Sequence, residues 1–338
     1  MPSIAEIKAN SIYYLVRTAG ERYMAHKTLS LSLNLEPPDP INDADIFHTE
    51  AKKAFNAYGR AKSPLEQAAA ARDFAQQQIN LGDFPGVRKT VRIILHSSRH
   101  LPPKDEDYFE AVAEEKLGWV ADYETGYQDA LQRFTRVQRI LQRRRAVWTD
   151  DEAGLNSTAT HFLGRARLGL ACQGINVQTN ITAARGLFIT DLSRFEEMRK
   201  AGNSQPANEG FQHAWLTMCA ITAGNLGAAE KSAAKTKTLF EESLTAKASG
   251  IMGHYYLLQG ALDLRSNNPQ AARAEFLEAA RIRTEVEYYP MGLAFAYLGV
   301  SGTFLHEGKF TQAVDYFKKA VNTQPPILLY AINGRFGG

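Results

Sequence analysis

The stretch Ala272-Arg-Ala-Glu-Phe276-Leu-Glu-Ala279 follows the turn Ser266-Asn267-Asn268, and Ala313-Val-Asp-Tyr-Phe317-Lys-Lys-Ala320 follows His306-Glu307-Gly308. Upstream, Ala130-Leu-Gln-Arg-Phe134-Thr-Arg-Val137 follows Glu124-Thr125-Gly126. Each places a small residue at the start of a helix after a tight turn, a phenylalanine four residues on, and a small or β-branched residue three further. Twelve residues before each alanine sits another small residue: Gly118, Gly260 and Ser301. Two antiparallel helices approach closely only where both backbones present small side chains, and the phenylalanine then fills the gap to the next pair. The same rule pairs Ala75 with Val87, Cys172 with Ala184 and Thr217 with Ala229. The second members of the six pairs are 43, 54, 45, 43 and 41 residues apart, which reads as a repeat rather than a bundle.

The rest of the chain agrees with helices. Apolar residues recur at three- and four-residue spacing, and alternating runs flanked by hairpin turns are missing. Ser63-Pro64-Leu65-Glu66 sets out a cap, a first-turn proline and a capping-box glutamate; Thr149 to Glu152 repeats the logic, and Asn268-Pro269 opens another helix. Breaks fall at Glu36 to Pro40, Pro102-Pro103, Gly202 to Asn208 and Pro325-Pro326, leaving about fourteen helices. The expected class is all-α. A chain of 338 residues exceeds what one core usually holds, and a stacked array removes the difficulty because each unit contacts only its neighbours.

The spaced residues resemble the tetratricopeptide repeat family. The match rests on Gly118, Ala130 and Phe134; on Gly260, Ala272, Phe276 and Ala279; and on Ser301, Phe304, Gly308, Ala313, Phe317, Ala320 and Pro325. It departs in period, which is about 34 residues in the family, in carrying the family's proline only at Pro325, and in placing Tyr256 or Tyr297 where the family has tryptophan. Such long repeats resemble those of bacterial signalling and regulatory proteins, peptide-sensing regulators included. The resemblance implies a right-handed α-solenoid of about six helical hairpins over residues 63–325. Residues 1–62 are then a helical cap or partner-binding segment, marked by Ile4, Ile7, Ile12, Leu15 and Val16 and by Ala51, Ala54 and Phe55; residues 326–338 form a tail.

The resemblance further implies that the first helix of each pair lines a concave groove. The positions carried over are Glu115, Trp119 and Asp122; Gln173 and Asn176; Phe211 and Met218; His254; and Phe295. A groove acidic and aromatic at one end and apolar at the other suits an extended or helical peptide with a basic end and hydrophobic anchors. A plainer assignment has Phe211, Met218 and Phe295 packing against neighbouring helices.

Net charge is only +3, but it is unevenly placed. Asp105 through Asp129 is strongly acidic, whereas Arg133, Arg136, Arg139, Arg143 and Arg144 fall in one polar arc opposite Phe134, Val137 and Leu141. Arg88, Lys89 and Arg92 form a second basic stripe. This is a solvated face or, alternatively, the surface of a nucleic-acid-associated regulator. Catalytic patterns are scarce. No phosphate loop, dinucleotide fingerprint, nucleophile elbow or zincin motif occurs. His96 and His100 stand at i and i+4 without a third ligand nearby, and Cys172 and Cys219 fall at expected helix contacts. The expectation is a non-catalytic scaffold or adaptor without metal or cofactor. Two cysteines, no basic-then-apolar leader and no apolar run of about 18 residues point to a cytoplasmic protein with no membrane span.

Overall fold

The computed structural model describes residues 46–143, 149–243 and 250–323. Among these residues there are thirteen helices and no strand: α1 (Ile46–Arg60), α2 (Pro64–Leu81), α3 (Phe84–Ser98), α4 (Pro103–Tyr123), α5 (Tyr127–Arg143), α6 (Asp150–Cys172), α7 (Val177–Lys200), α8 (Pro206–Thr222), α9 (Leu226–Glu242), α10 (Ile251–Arg265), α11 (Pro269–Glu285), α12 (Pro290–His306) and α13 (Phe310–Thr323). The expectations for Ile4 to Val16, for Arg144, and for Pro325 and the tail lie outside the described residues.

Helices α2 to α13 form six antiparallel hairpins stacked in chain order, and α1 packs on α2. The starts follow local chemistry. Ser63 and Glu66 form a capping box ahead of Pro64, Thr149 and Glu152 form another, and Asn268 accepts the Ala271 N–H at 3.4 Å. At each hairpin tip the chain turns through a left-handed residue: Gly82, Thr125, Gly174, Gly224, Asn267 and Gly308. In five hairpins the small residue of the second helix comes five residues after that tip: Val87, Ala130, Ala229, Ala272 and Ala313. All five are at most 1% exposed.

The hairpin α6–α7 is the exception. Its helices run 23 and 24 residues, and its tip carries a second left-handed residue, Asn176. Across this hairpin Phe188 packs on Gly164, where an added Cβ would lie 2.6 Å from its ring, so the first-helix partner of Ala184 and Phe188 is Gly164 and not the Cys172 expected from sequence. Gly164 is buried, whereas Cys172 is only half-buried. The added length explains the 54-residue interval.

The phenylalanines behave as the spacing requires. A Cβ added to Gly118 would lie 2.8 Å from the Phe134 ring, and Phe276 lies between Gly260 of its own hairpin and Gly299 of the next. The first helices of the hairpins line the inner side, joined there by one face of the second helix α7. The array curves far enough for α12 to meet α2, so that Met291, Ala294 and Leu298 share one hydrophobic cluster with Ala68, Ala71 and Ala75. The Tyr123 and Tyr289 hydroxyls hydrogen-bond across the curve at 3.2 Å. This closure turns the concave groove into a chamber.

Candidate functional site

The chamber has a volume of about 1000 Å³ and is walled by α4, α6, the inner face of α7, α8, α10 and α12. The helical period puts Ser157, His161, Arg165 and Leu168 of α6 on its surface, together with Trp215 of α8 and Phe295 of α12. Arg165 is its central cation. The guanidinium is ion-paired to Asp122 of α4, which has no exposed surface, and lies 4.4 Å from the Phe162 ring, 4.8 Å from Trp215 and 5.4 Å from Tyr123. Aromatic faces of this kind attract a guanidinium. A second buried arginine, Arg283 of α11, reaches between α10 and α12. Gly253 and Gly292 make that passage, since a Cβ on either would lie 2.8 or 2.9 Å from its Nε. Arg283 Nη1 donates to Glu287 Oε1 at 3.2 Å, and the Gly250 N–H donates to Glu287 Oε2 at 2.8 Å.

Burial and the two arginines keep both chamber histidines neutral. His161, bonded to Gln212, is pushed down to about 3, chiefly by desolvation and then by Arg165. His254 is held well below its ordinary range by desolvation, Arg283 and Arg165. The unfolded chain therefore binds protons that the folded chain refuses. The stability contributed by neutral His161 is fully present above pH 6.5 and is lost as pH falls from 6.5 towards 3. Urea unfolding at pH 7 and pH 5.5 should show a loss on the order of 1 kcal/mol from His161, and His161→Asn should remove that part. An unchanged midpoint would place the imidazole in bulk water.

Polar groups gather at the mouth. Asp191 of α7 is 3% exposed; the Ser157 hydroxyl donates to its Oδ1 at 3.2 Å, and Arg194 Nη1 stands 3.9 Å away. Its Oδ2 has no hydrogen-bond partner among the described residues, and burial raises its carboxyl. Asp150, Asn203, Gln205 and Asn208 complete this rim. A smaller polar cup of about 380 Å³ between α2, α4 and α6 shares Trp119 and Thr158 with the chamber. There Lys116 bonds Glu115 at 2.8 Å and Gln76 at 2.6 Å.

Neither a protein-family model nor a curated protein sequence matches the chain. Among solved structures, aspartyl phosphate phosphatase F from Bacillus subtilis overlays with a TM-score of 0.55 at 14% identity, covering 81% of this chain and 63% of that one. BtubC from P. vanneervenii gives 0.40 at 12% identity, covering 86% and 93%. The apo form of the quorum sensor NprR from B. thuringiensis gives 0.29 at 9% identity, covering 80% and 91%. The first overlay shows a likeness of fold, an all-helical array of stacked hairpins. This chain spans less than two thirds of that phosphatase's length.

The structure divides the groove residues expected from sequence. Trp119, Phe211, Met218, His254 and Phe295 line the chamber. Glu115 lines the smaller cup, and Asp122 lies beneath the surface as the partner of Arg165. Gln173 and Asn176 lie outside the chamber lining. Gln173 ends α6 with its Nε2 donating to the Thr125 carbonyl at 3.3 Å, and Asn176 is exposed at the hairpin tip. The extension of α6–α7 carried them out of the wall. It also hid Ser157, His161 and Arg165, which the correct register would have placed inside; Asp191 and Arg194 come from a second helix, which the family geometry assigns to the outside.

The arginine arc on α5 is largely tied down. Arg133 pairs with Glu114 at 3.0 Å and Asp129 at 3.1 Å, and Arg136 pairs with Glu110 at 2.6 Å and Glu114 at 3.4 Å. Arg139 and Arg143 are exposed, and Arg88 of α3 pairs with Glu124. The acidic α4 thus neutralises much of the basic stripe that would meet a phosphate backbone. His96 and His100 are exposed with ring centroids 5.8 Å apart, and among the described residues no group of three ligating side chains could hold a metal. Cys219 is buried and its thiol is pushed up to about 12 by desolvation, the behaviour of a packing residue. Among the described residues no helix is long and apolar enough to cross a membrane.

Proposed function

We propose that the chain is a non-catalytic regulatory adaptor whose chamber holds an extended peptide segment with a basic residue at the acidic rim and apolar residues deeper inside. The observation that carries this reading is the chamber itself. Its volume of about 1000 Å³ lies at the upper end of small-ligand pockets, and its walls combine aromatic and aliphatic side chains with polar ones contributed by several helices. Asp191, with an oxygen that accepts no hydrogen bond, suits an ammonium or guanidinium. Arg165 and Arg283 are ion-paired to Asp122 and Glu287, although Nε and Nη2 of Arg283 donate no hydrogen bond among the described residues, and both histidines are held below their ordinary range, which supports recognition. The fold likeness to a Bacillus subtilis phosphatase supports a place in signalling. The proposed setting is cytoplasmic, with occupancy of the chamber altering the grip on a protein partner.

Selection of a random peptide library on the immobilised chain tests this. Enriched peptides should share a Lys or Arg, and Asp191→Asn should weaken them by about 10–100-fold, the range of one charge-assisted hydrogen bond. Replacing the basic residue of the peptide by Gln should cost the same and add nothing in the Asp191→Asn background. Failure to enrich any peptide, or enrichment indifferent to chamber substitutions, would remove the reading.

A further inference from the structure

Helices α8 and α10 are first helices of successive hairpins and run parallel, offset by 43 positions: Phe211 stands beside His254, with ring centroids 5.1 Å apart. One turn deeper the same offset sets Ala214 beside Leu257, and another turn on it sets Met218 beside Ala261. All four line the chamber, with Leu258 as floor and Phe295 of α12 across. No charged side chain belongs to this stretch of wall. Between α6 and α8, by contrast, the large pair Arg165 and Trp215 closes the corresponding level. The alternation of small and large residues leaves a neutral recess under the Phe211–His254 ring pair.

We propose that this recess is the anchor subsite for one apolar side chain of the ligand, of leucine, isoleucine, methionine or phenylalanine size, and that Ala214 and Ala261 set the size it accepts. The inference rests on the peptide reading above. The occupant follows from the lining: Asp191, with Arg194 beside it and one oxygen unbonded, belongs to α7, whereas Ala214, Met218, Leu257, Leu258 and Ala261 are apolar, so one ligand can place a cation at Asp191 and a hydrocarbon in the recess. Desolvating an apolar side chain costs nothing against such walls, whereas a polar one would lose its water without replacement. Ala214 and Ala261 are half-buried and line chamber space, although each also packs on a core cluster, so a longer side chain at either position takes up recess volume.

The random library provides the test, using the full chain. Wild type should enrich one apolar position besides the basic one. Ala214→Leu and Ala261→Leu should each shift that position to Ala or Val and weaken a wild-type-selected peptide by about tenfold or more, leaving the basic preference intact. Met218→Ala should shift the same position towards Phe or Trp, which covers the case in which a leucine variant folds poorly by circular dichroism. Peptides that bind all three variants with unchanged affinity would overturn the anchor while the peptide reading stands. A library that enriches nothing on wild type would overturn both.

Discussion

Replacing Arg165 by alanine should destabilise the chain by about 3–5 kcal/mol, read by urea unfolding and by melting temperature. The cause lies in what remains. Asp122 has no exposed surface, and its carboxylate would stay behind in a wall made of Phe162, Trp215 and Tyr123. Removing both charges is a different perturbation: Arg165→Met combined with Asp122→Asn should recover most of the loss, because a buried ion pair contributes little beyond a well-packed neutral pair. The same double variant should be less sensitive to acid. Arg165 is one of the causes that hold His161 and His254 low, so its removal lets both imidazoles rise towards their ordinary range and narrows the proton difference between folded and unfolded chains. A single alanine variant as stable as wild type would mean that water fills the centre of the chamber and screens the carboxylate.

That arginine also marks where the sequence could be read and where it could not. The all-α class, six hairpins and the capped starts at Ser63, Thr149 and Asn268 follow from local chemistry, which neighbouring residues carry within one turn. The pairings of Gly118 with Ala130 and Gly260 with Ala272 follow as well, because close backbone approach leaves small residues at a constant interval. The third hairpin departs from the twelve-residue spacing for a physical reason. Its added length keeps the heptad-like stripe unbroken, so Ala184 and Phe188 still look correctly phased although the tip has moved. Residues carried over to the groove from that phase, Gln173 and Asn176, went with it. The closure of the array onto α2 was illegible for another reason. It depends on small rotations summed over hairpins, and no local signal in Tyr123 or Tyr289 announces that their hydroxyls will meet. An open groove was therefore the natural expectation, and the charge balance around Asp191 became meaningful only inside a closed wall.

Phe276→Ala should cost about 3–5 kcal/mol and should loosen the C-terminal end before the rest. The ring has no exposed surface and is gripped on two sides by glycine backbones, Gly260 at 2.8 Å and Gly299 at 2.5 Å from where a Cβ would stand. Helical backbone cannot collapse into the space as side chains can, so the cavity persists and its cost stays near the top of the range. Filling from the other side should compensate in part: Gly299→Ala alone forces its methyl into the ring, but combined with Phe276→Leu the two changes should cost less than their sum. Because units of a stacked array hold mainly to their neighbours, amide exchange should rise first in α12 and α13. Here the closure of the array adds a consequence. Helix α12 also meets α2 and supplies Phe295 to the chamber wall, and Tyr289 just ahead of it bonds Tyr123. Loosening α12 therefore opens the chamber, and Phe276→Ala should weaken a selected peptide although Phe276 does not line the site. Exchange that rises evenly along all thirteen helices, with peptide affinity unchanged, would show instead that the array unfolds as one unit and that its closure does not shape the chamber.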